Sequence, residues 1–228
     1  MVTGYLSPMP RARRGRVRMT RMERHEQLID VARRLFSDKG LEGTSVEEIA
    51  AVAGVSKPVV YEHFGGKEGL YAVVVDREVT TLHTAIKTAL ATSDASPREL
   101  IELGTLALLD YIDDHADGFR ILSRDSSSTE ASFATILSDI ASRVEDQLAD
   151  EFTKLGRDPG IAPLYAQMLV GLVALAGQWW VDNKGGMTKP VVAAHLVNLA
   201  WYGMRDLRAQ PRLVTGRRRR AALGANQS

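Results

Sequence analysis

The chain of 228 residues has no cysteine, which excludes disulfides and thiolate metal sites and fits a reducing cytoplasm. A formal net charge of +1 hides strong segregation: residues 1–24 hold seven arginines against Glu23, and residues 205–228 hold seven against Asp206, so each end is +6 and the stretch between is −11. The phosphate-attracting field therefore belongs to the two ends, and the middle of the chain is acidic.

In chain order, residues 1–19 are rich in Arg, Pro and Gly without apolar periodicity, which predicts a disordered arm. They also lack the apolar run of a signal peptide, so no secretion is expected. Leu28, Ile29, Ala32, Leu35 and Phe36 signal a first helix from about Thr20 to Asp38, stopped by Gly40. From Thr44 to Phe64 two short helices fold over a glycine turn. Val46, Ile49, Ala50 and Ala53 recur at helical spacing on the first. Thr44 with Glu47 fits a capping box at its start, and Ser45 with Glu48 repeats the pattern one residue later. Gly54 can take the left-handed conformation that ends a helix, Ser56 is a ready N-cap for the next, and Pro58 is tolerated in its first turn. Val60 and Phe64 are expected to turn inward, leaving Lys57, Val59, Tyr61, Glu62 and His63 facing out. This is the layout of a helix-turn-helix whose second helix enters the DNA major groove, in a domain spanning residues 20–66.

Gly65-Gly66 breaks the chain before a long helix from about Lys67 to Ala91. After a turn at Ser93–Ser96, Pro97 opens a helix ending near His115, and Asp117–Arg124 forms a short one. A polar loop at Asp125–Thr129 leads to a helix over Glu130–Leu155, closed by Gly156. Asp158-Pro159-Gly160 precedes a helix over Ala162–Asn183, and Gly185-Gly186 turns the chain into a last one over Lys189–Arg208. The prediction is an all-α protein of about nine helices. Its three-helix N-terminal domain is followed by a helical body over 67–208, and by a basic, disordered tail over 209–228. Gly66-Lys67 lacks the spacing of a phosphate loop, and no serine or carboxylate sits in a nucleophile or acid–base pattern, so no enzyme, cofactor or metal is expected. Asp113, Asp114, His115 and Asp117 crowd a helix end, but consecutive side chains do not converge on a metal.

Lysine donates to guanine, glutamate accepts from cytosine, and Val59 or Pro58 packs against a thymine methyl, so Lys57, Pro58, Val59 and Glu62 are candidates for base edges. Tyr61, His63, Lys67, Thr44 and Ser45 are candidate phosphate contacts, and Ser56 opens the same helix. The run Gly40-Leu41-Glu42-Gly43-Thr44-Ser45-Val46, then Ile49-Ala50, Ala53-Gly54-Val55-Ser56, Tyr61-Glu62-His63-Phe64 and Lys67-Glu68-Gly69-Leu70, resembles the DNA-binding module of the TetR family of bacterial transcriptional regulators. The likeness covers about Thr20 to Tyr71; Leu41 departs from it, standing where an aromatic residue is more usual. The resemblance implies the same DNA-contact roles, a body over 67–208 that binds ligand and dimerises, a cytoplasmic dimeric repressor on a near-palindromic double-stranded operator, and release by a small-molecule effector.

Ala162–Val181 contains no charge and is long enough to span a bilayer. The rival reading is burial on all sides, which the family's four-helix dimer bundle supplies, and no membrane is expected. Gly171, Ala174, Gly177, Ala193, Ala194, Ala200 and Gly203 would then allow close helix approach at the dimer interface. Leu108, Tyr111, Phe119, Phe133, Met168, Leu172 and Trp179 are candidate walls of an apolar effector pocket, the alternative being ordinary core. A further alternative for the whole chain is an architectural DNA-binding protein without an effector, using its Arg-rich ends nonspecifically.

Overall fold

A computed structural model of the chain describes residues 19–92, 95–124, 133–183, 185–205, 207 and 211. Residues 1–18 of the expected disordered arm, the loop Asp125–Thr129 with the helix start at Glu130, Arg208 and the basic cluster of the tail lie outside them. Among the described residues the chain forms nine α-helices and no strand: α1 (Arg21–Lys39), α2 (Val46–Ala53), α3 (Lys57–Phe64), α4 (Lys67–Leu90), α5 (Pro97–Asp114), α6 (Ala116–Arg124), α7 (Phe133–Lys154), α8 (Ala162–Asp182) and α9 (Lys189–Arg205).

The helix ends follow from local chemistry. Thr20 caps α1 in a full capping box, with Glu23 N donating to Thr20 Oγ1 at 3.2 Å and Thr20 N to Glu23 at 2.7 Å. Ser96 and Glu99 do the same for α5, where Pro97 takes the first turn. At α2 the cap is Ser45, whose Oγ accepts from Glu48 N at 3.1 Å, so the Thr44–Glu47 box does not form. Gly54 ends α2 at φ 65° with its N–H returned to Ala50 and Ala51 carbonyls, a conformation that a Cβ would strain.

Leu28, Ile29, Ala32 and Phe36 of α1 pack with Ile49 and Ala50 of α2 and Val60 of α3. The same core continues through Leu70, Val74 and Leu82 of α4 into Leu109 and Ile112 of α5 and Phe119 and Leu122 of α6. Leu41 is half-buried against it, as expected of a core position. A smaller cluster of Leu148 and Phe152 with Ala162 and Ala166 joins α7 to α8.

Polar groups also tie the N-terminal helices to the body. Glu78 of α4 is 3% exposed; Arg33 Nε of α1 lies 2.9 Å from its carboxylate, and Tyr111 of α5 donates to it at 2.7 Å. Gly118 of α6 lies so close that a Cβ there would overlap the Glu78 side chain. Burial first, then the Glu78 charge and hydrogen bond, push the Tyr111 phenol well above its ordinary value, so it remains a donor. Beside this node, Ser37 Oγ of α1 donates to Asp117 at 3.1 Å, and Arg124 of α6 donates to the Ser37 carbonyl at 2.9 Å. Removing one member of a buried ion pair strands the other, so Glu78→Ala is expected to lower the unfolding free energy by about 3 kcal/mol. Urea denaturation checks this, and a decrease smaller than about 1 kcal/mol would contradict the role given to the node.

Candidate DNA-binding site and cavity

α3 stands on α2 through Val60, which is fully buried, with Val55, Val59 and Phe64 half-buried against the same core. Gln27 Nε2 of α1 donates to the Ala53 carbonyl at 3.2 Å, fixing the C-terminal end of α2 just before the turn. His25 stacks on Phe64 with ring centroids 4.4 Å apart, and His63 lies 5.8 Å from His25. These contacts hold α3 with Ser56, Lys57, Pro58, Tyr61 and Glu62 facing solvent; Tyr61 is 55% exposed. Ser45, at the start of α2, is exposed beside them.

Lys57 pairs across the turn with Glu47, and the Lys57 hydrogen bond holds the Glu47 carboxyl below its usual value. Both side chains are more than half exposed, so phosphate can compete for the lysine at small cost. Val59 and His63 are half-buried rather than fully outward. Lys67 begins α4 and donates to the Leu41 carbonyl at 3.0 Å, which places its ammonium between the α1–α2 turn and solvent.

Thr44 requires a correction. It is 2% exposed, and its hydroxyl is directed at the Gly40 carbonyl at 2.8 Å and the Leu35 carbonyl at 3.3 Å. One hydroxyl has one proton, already given to these interior acceptors, so Thr44 braces the end of α1 and cannot serve as a phosphate donor. Thr44→Val is therefore expected to cost about 1–3 kcal/mol of stability, with the salt dependence of DNA binding unchanged. Denaturation and binding titrations on the same variant test it; undiminished stability with a flatter salt slope would restore the phosphate role.

The body contains a cavity of about 270 Å³ walled by α4, α5, α7 and α8, with Leu82, Ile86, Leu108, Phe133, Ile136 and Val173 among its lining. Of the expected wall residues, Leu108 and Phe133 line it. Tyr111 and Phe119 do not: Tyr111 is held by Glu78, and Phe119 is fully buried between Tyr111 and Phe133. Met168 and Trp179 are 56% and 51% exposed on the far side of α8, and half-buried Leu172 lies outside the lining.

The expected interface residues divide in the opposite sense. Ala174 lines the cavity, and Gly177 lets α8 approach α5, since a Cβ there would meet Ile112 Cδ1 at 2.8 Å. Ala193 and Ala200 are each 5% exposed in the packing of α9, so these four small residues serve contacts within the subunit. Ala194, Gly171 and Gly203 remain at the outer face, with open space beside both glycines. The outward surface is made by large residues instead: Leu164, Met168, Leu175 and Trp179 of α8, and Leu199 and Tyr202 of α9. α8 is long and apolar enough to cross a membrane, but its other face packs on α5 and α7.

The crowded acids near His115 are used singly. Asp113 lies 3.5 Å from Lys189, Asp117 accepts from Ser37, and His115 stacks on Tyr111 at 5.1 Å. Among the described residues no cluster of His, Asp or Glu is placed to hold a metal.

A short helix braced by two others, with its polar face presented beside a glycine turn, defines a helix-turn-helix DNA-binding protein. The family model for bacterial regulatory proteins of the tetR family matches residues 28–74, and that for a tetracyclin repressor-like C-terminal domain matches 97–203. The transcriptional activator FasR of Mycolicibacterium smegmatis is 32% identical over 205 residues, covering 88% of this chain and 91% of FasR. A TetR-like regulator from Rhodococcus sp. RHA1 superposes with a TM-score of 0.67 at 28% identity, covering 83% of this chain and all of that one. AibR, solved with isovaleryl coenzyme A and operator DNA, has the same fold, with a TM-score of 0.63 at 21% identity over 78% of this chain and 97% of its own. The chain belongs to the TetR family, whose members are DNA-binding transcription regulators and not enzymes.

Proposed function

We propose that the protein is a homodimeric, effector-responsive regulator, acting in the cytoplasm as a repressor on a near-palindromic operator. The observation that carries this reading is the course of α4. It begins at Lys67, beside the recognition helix, and supplies Leu82, Ile86 and Leu90 to the cavity. A molecule that alters how α4 sits against the cavity alters where α3 sits on the DNA. Two α3 helices related by the dimer two-fold then fit successive major grooves in one state and miss them in the other. The effector acts only through its differential affinity for the two states.

An apolar effector is supported by the aliphatic and aromatic lining, whose charged members, Asp150, Glu151 and Lys154, all belong to the final turns of α7. Dimerisation is supported by the exposed apolar surface of α8 and α9, too large a set of neighbouring side chains to leave in water. Fluorescence anisotropy on the operator tests the reading. An apolar ligand that fills the cavity is expected to lower DNA affinity at least tenfold, and unchanged affinity at saturation would overturn it.

Activation is a second reading, favoured by one observation: FasR, the relative at 32% identity, is an activator by name. Run-off transcription from a promoter carrying the operator separates the two, since a repressor lowers the transcript and an activator raises it.

A further inference from the structure

We infer that Thr105 is the specificity-determining contact of the cavity, and that the effector is a mainly aliphatic molecule with one uncharged hydrogen-bonding oxygen, a carbonyl or hydroxyl, buried against it. This rests on the effector reading above and names the chemistry of that site. Thr105 lies on α5, is 1% exposed and lines the cavity. Its Oγ1 has no hydrogen-bond partner among the described residues. A hydroxyl buried without a partner is costly, and a ligand that supplies the partner recovers that cost on binding.

The surroundings narrow the chemistry. The buried part of the lining includes Leu82, Ile86, Leu108, Phe133, Ile136 and Ala174, and none of these bears a charge. Asp150 and Lys154 are exposed and Glu151 is half-buried, all near the end of α7. A carboxylate or phosphate pushed in to Thr105 would thus be desolvated with no cation to pair with, which disfavours an anionic group at that position. A ketone, an ester or an alcohol carries no such penalty. The hydroxyl can donate to a carbonyl and can also accept from an alcohol. The cavity of about 270 Å³ lies just below the range of about 300–1,000 Å³ usual for small-molecule sites, which suits a slender aliphatic body.

Three ligands of equal chain length make the test: 2-decanone, 1-decanol and n-decane, titrated into the full-length protein by displacement of a fluorescent apolar probe. The wild-type protein is expected to bind the ketone and the alcohol about three- to tenfold tighter than the alkane. Thr105→Val keeps the shape and removes the hydroxyl, so it should abolish that preference and raise the melting temperature of the unliganded protein. Thr105→Ser keeps the hydroxyl and should retain the preference, which guards against a general packing effect. The inference is overturned if n-decane binds the wild type as tightly as 2-decanone, or if Thr105→Val preserves the preference. DNA affinity, read separately by anisotropy, distinguishes the two levels. A ketone that binds through Thr105 without changing operator affinity would refute the effector reading and leave the site standing.

Discussion

Deleting residues 1–18 is expected to weaken operator binding about a hundredfold at physiological salt and to flatten the salt dependence. Residues 25–66 carry Arg33, Arg34, Lys39 and Lys57 against seven carboxylates, a net −3. Of these four cations, Arg33 is engaged by Glu78 and Asp30, Lys39 by Glu48 and Lys57 by Glu47. A reading head of that charge needs cations from elsewhere to approach phosphate. Arg11, Arg13, Arg14, Arg16 and Arg18 lie immediately upstream, where a basic arm can follow a groove or the adjoining backbone. The slope of log affinity against log salt should fall by about 0.9 for every phosphate that an arginine no longer neutralises. Melting temperature and oligomeric state should stay the same. Titrations at several salt concentrations decide it; a truncated protein with full affinity and an unchanged slope would show the arm to be inert.

The second large effect is expected at Leu175. It is 67% exposed on α8, between Met168 and Trp179 on the same outward face, and Leu199 and Tyr202 of α9 are exposed as well. If two copies bury this face against each other, Leu175→Glu places an unpaired carboxylate from each subunit into the apolar seam. Sedimentation at micromolar concentration should then show a monomer where the unmodified protein is a dimer. A monomer engages one half-site only, so operator affinity should fall by about 10²–10⁴-fold. The same substitution leaves the subunit core untouched, and the helical signal and melting of the monomer should report a folded chain. A variant that remains dimeric would place the interface elsewhere.

What can be read from residues alone is governed by distance along the chain. The start of α5, the glycine ends of α1 and α2 and the inward face of α2 depend on neighbours a few positions away, and these expectations match the structure. The Arg33–Glu78–Tyr111 node joins three helices across long stretches of chain, and no local pattern announces it. Thr44 deceives for a related reason: a threonine before a helix reads as a cap or a phosphate donor until the carbonyls of Leu35 and Gly40 are brought around it.

α8 misleads in a different way. It is apolar on every side, so periodicity gives no direction to its faces. Residue size suggests large side chains at the cavity and small ones at the interface, whereas Ala174 and Gly177 face inward and Met168 and Trp179 face out. Gly177 shows why: α5 lies close enough that only hydrogen fits between the backbone and Ile112.

The most direct measurement is selection of bound sequences from a random DNA pool by the purified full-length protein at physiological salt. Specific reading by paired α3 helices predicts enrichment of a near-palindrome whose half-sites lie about one helical turn apart. The enrichment should disappear when Lys57, Tyr61 and Glu62 are replaced together by alanine. Recovery of DNA without a shared motif, with affinity that follows salt alone, would contradict the account and leave a nonspecific architectural binder.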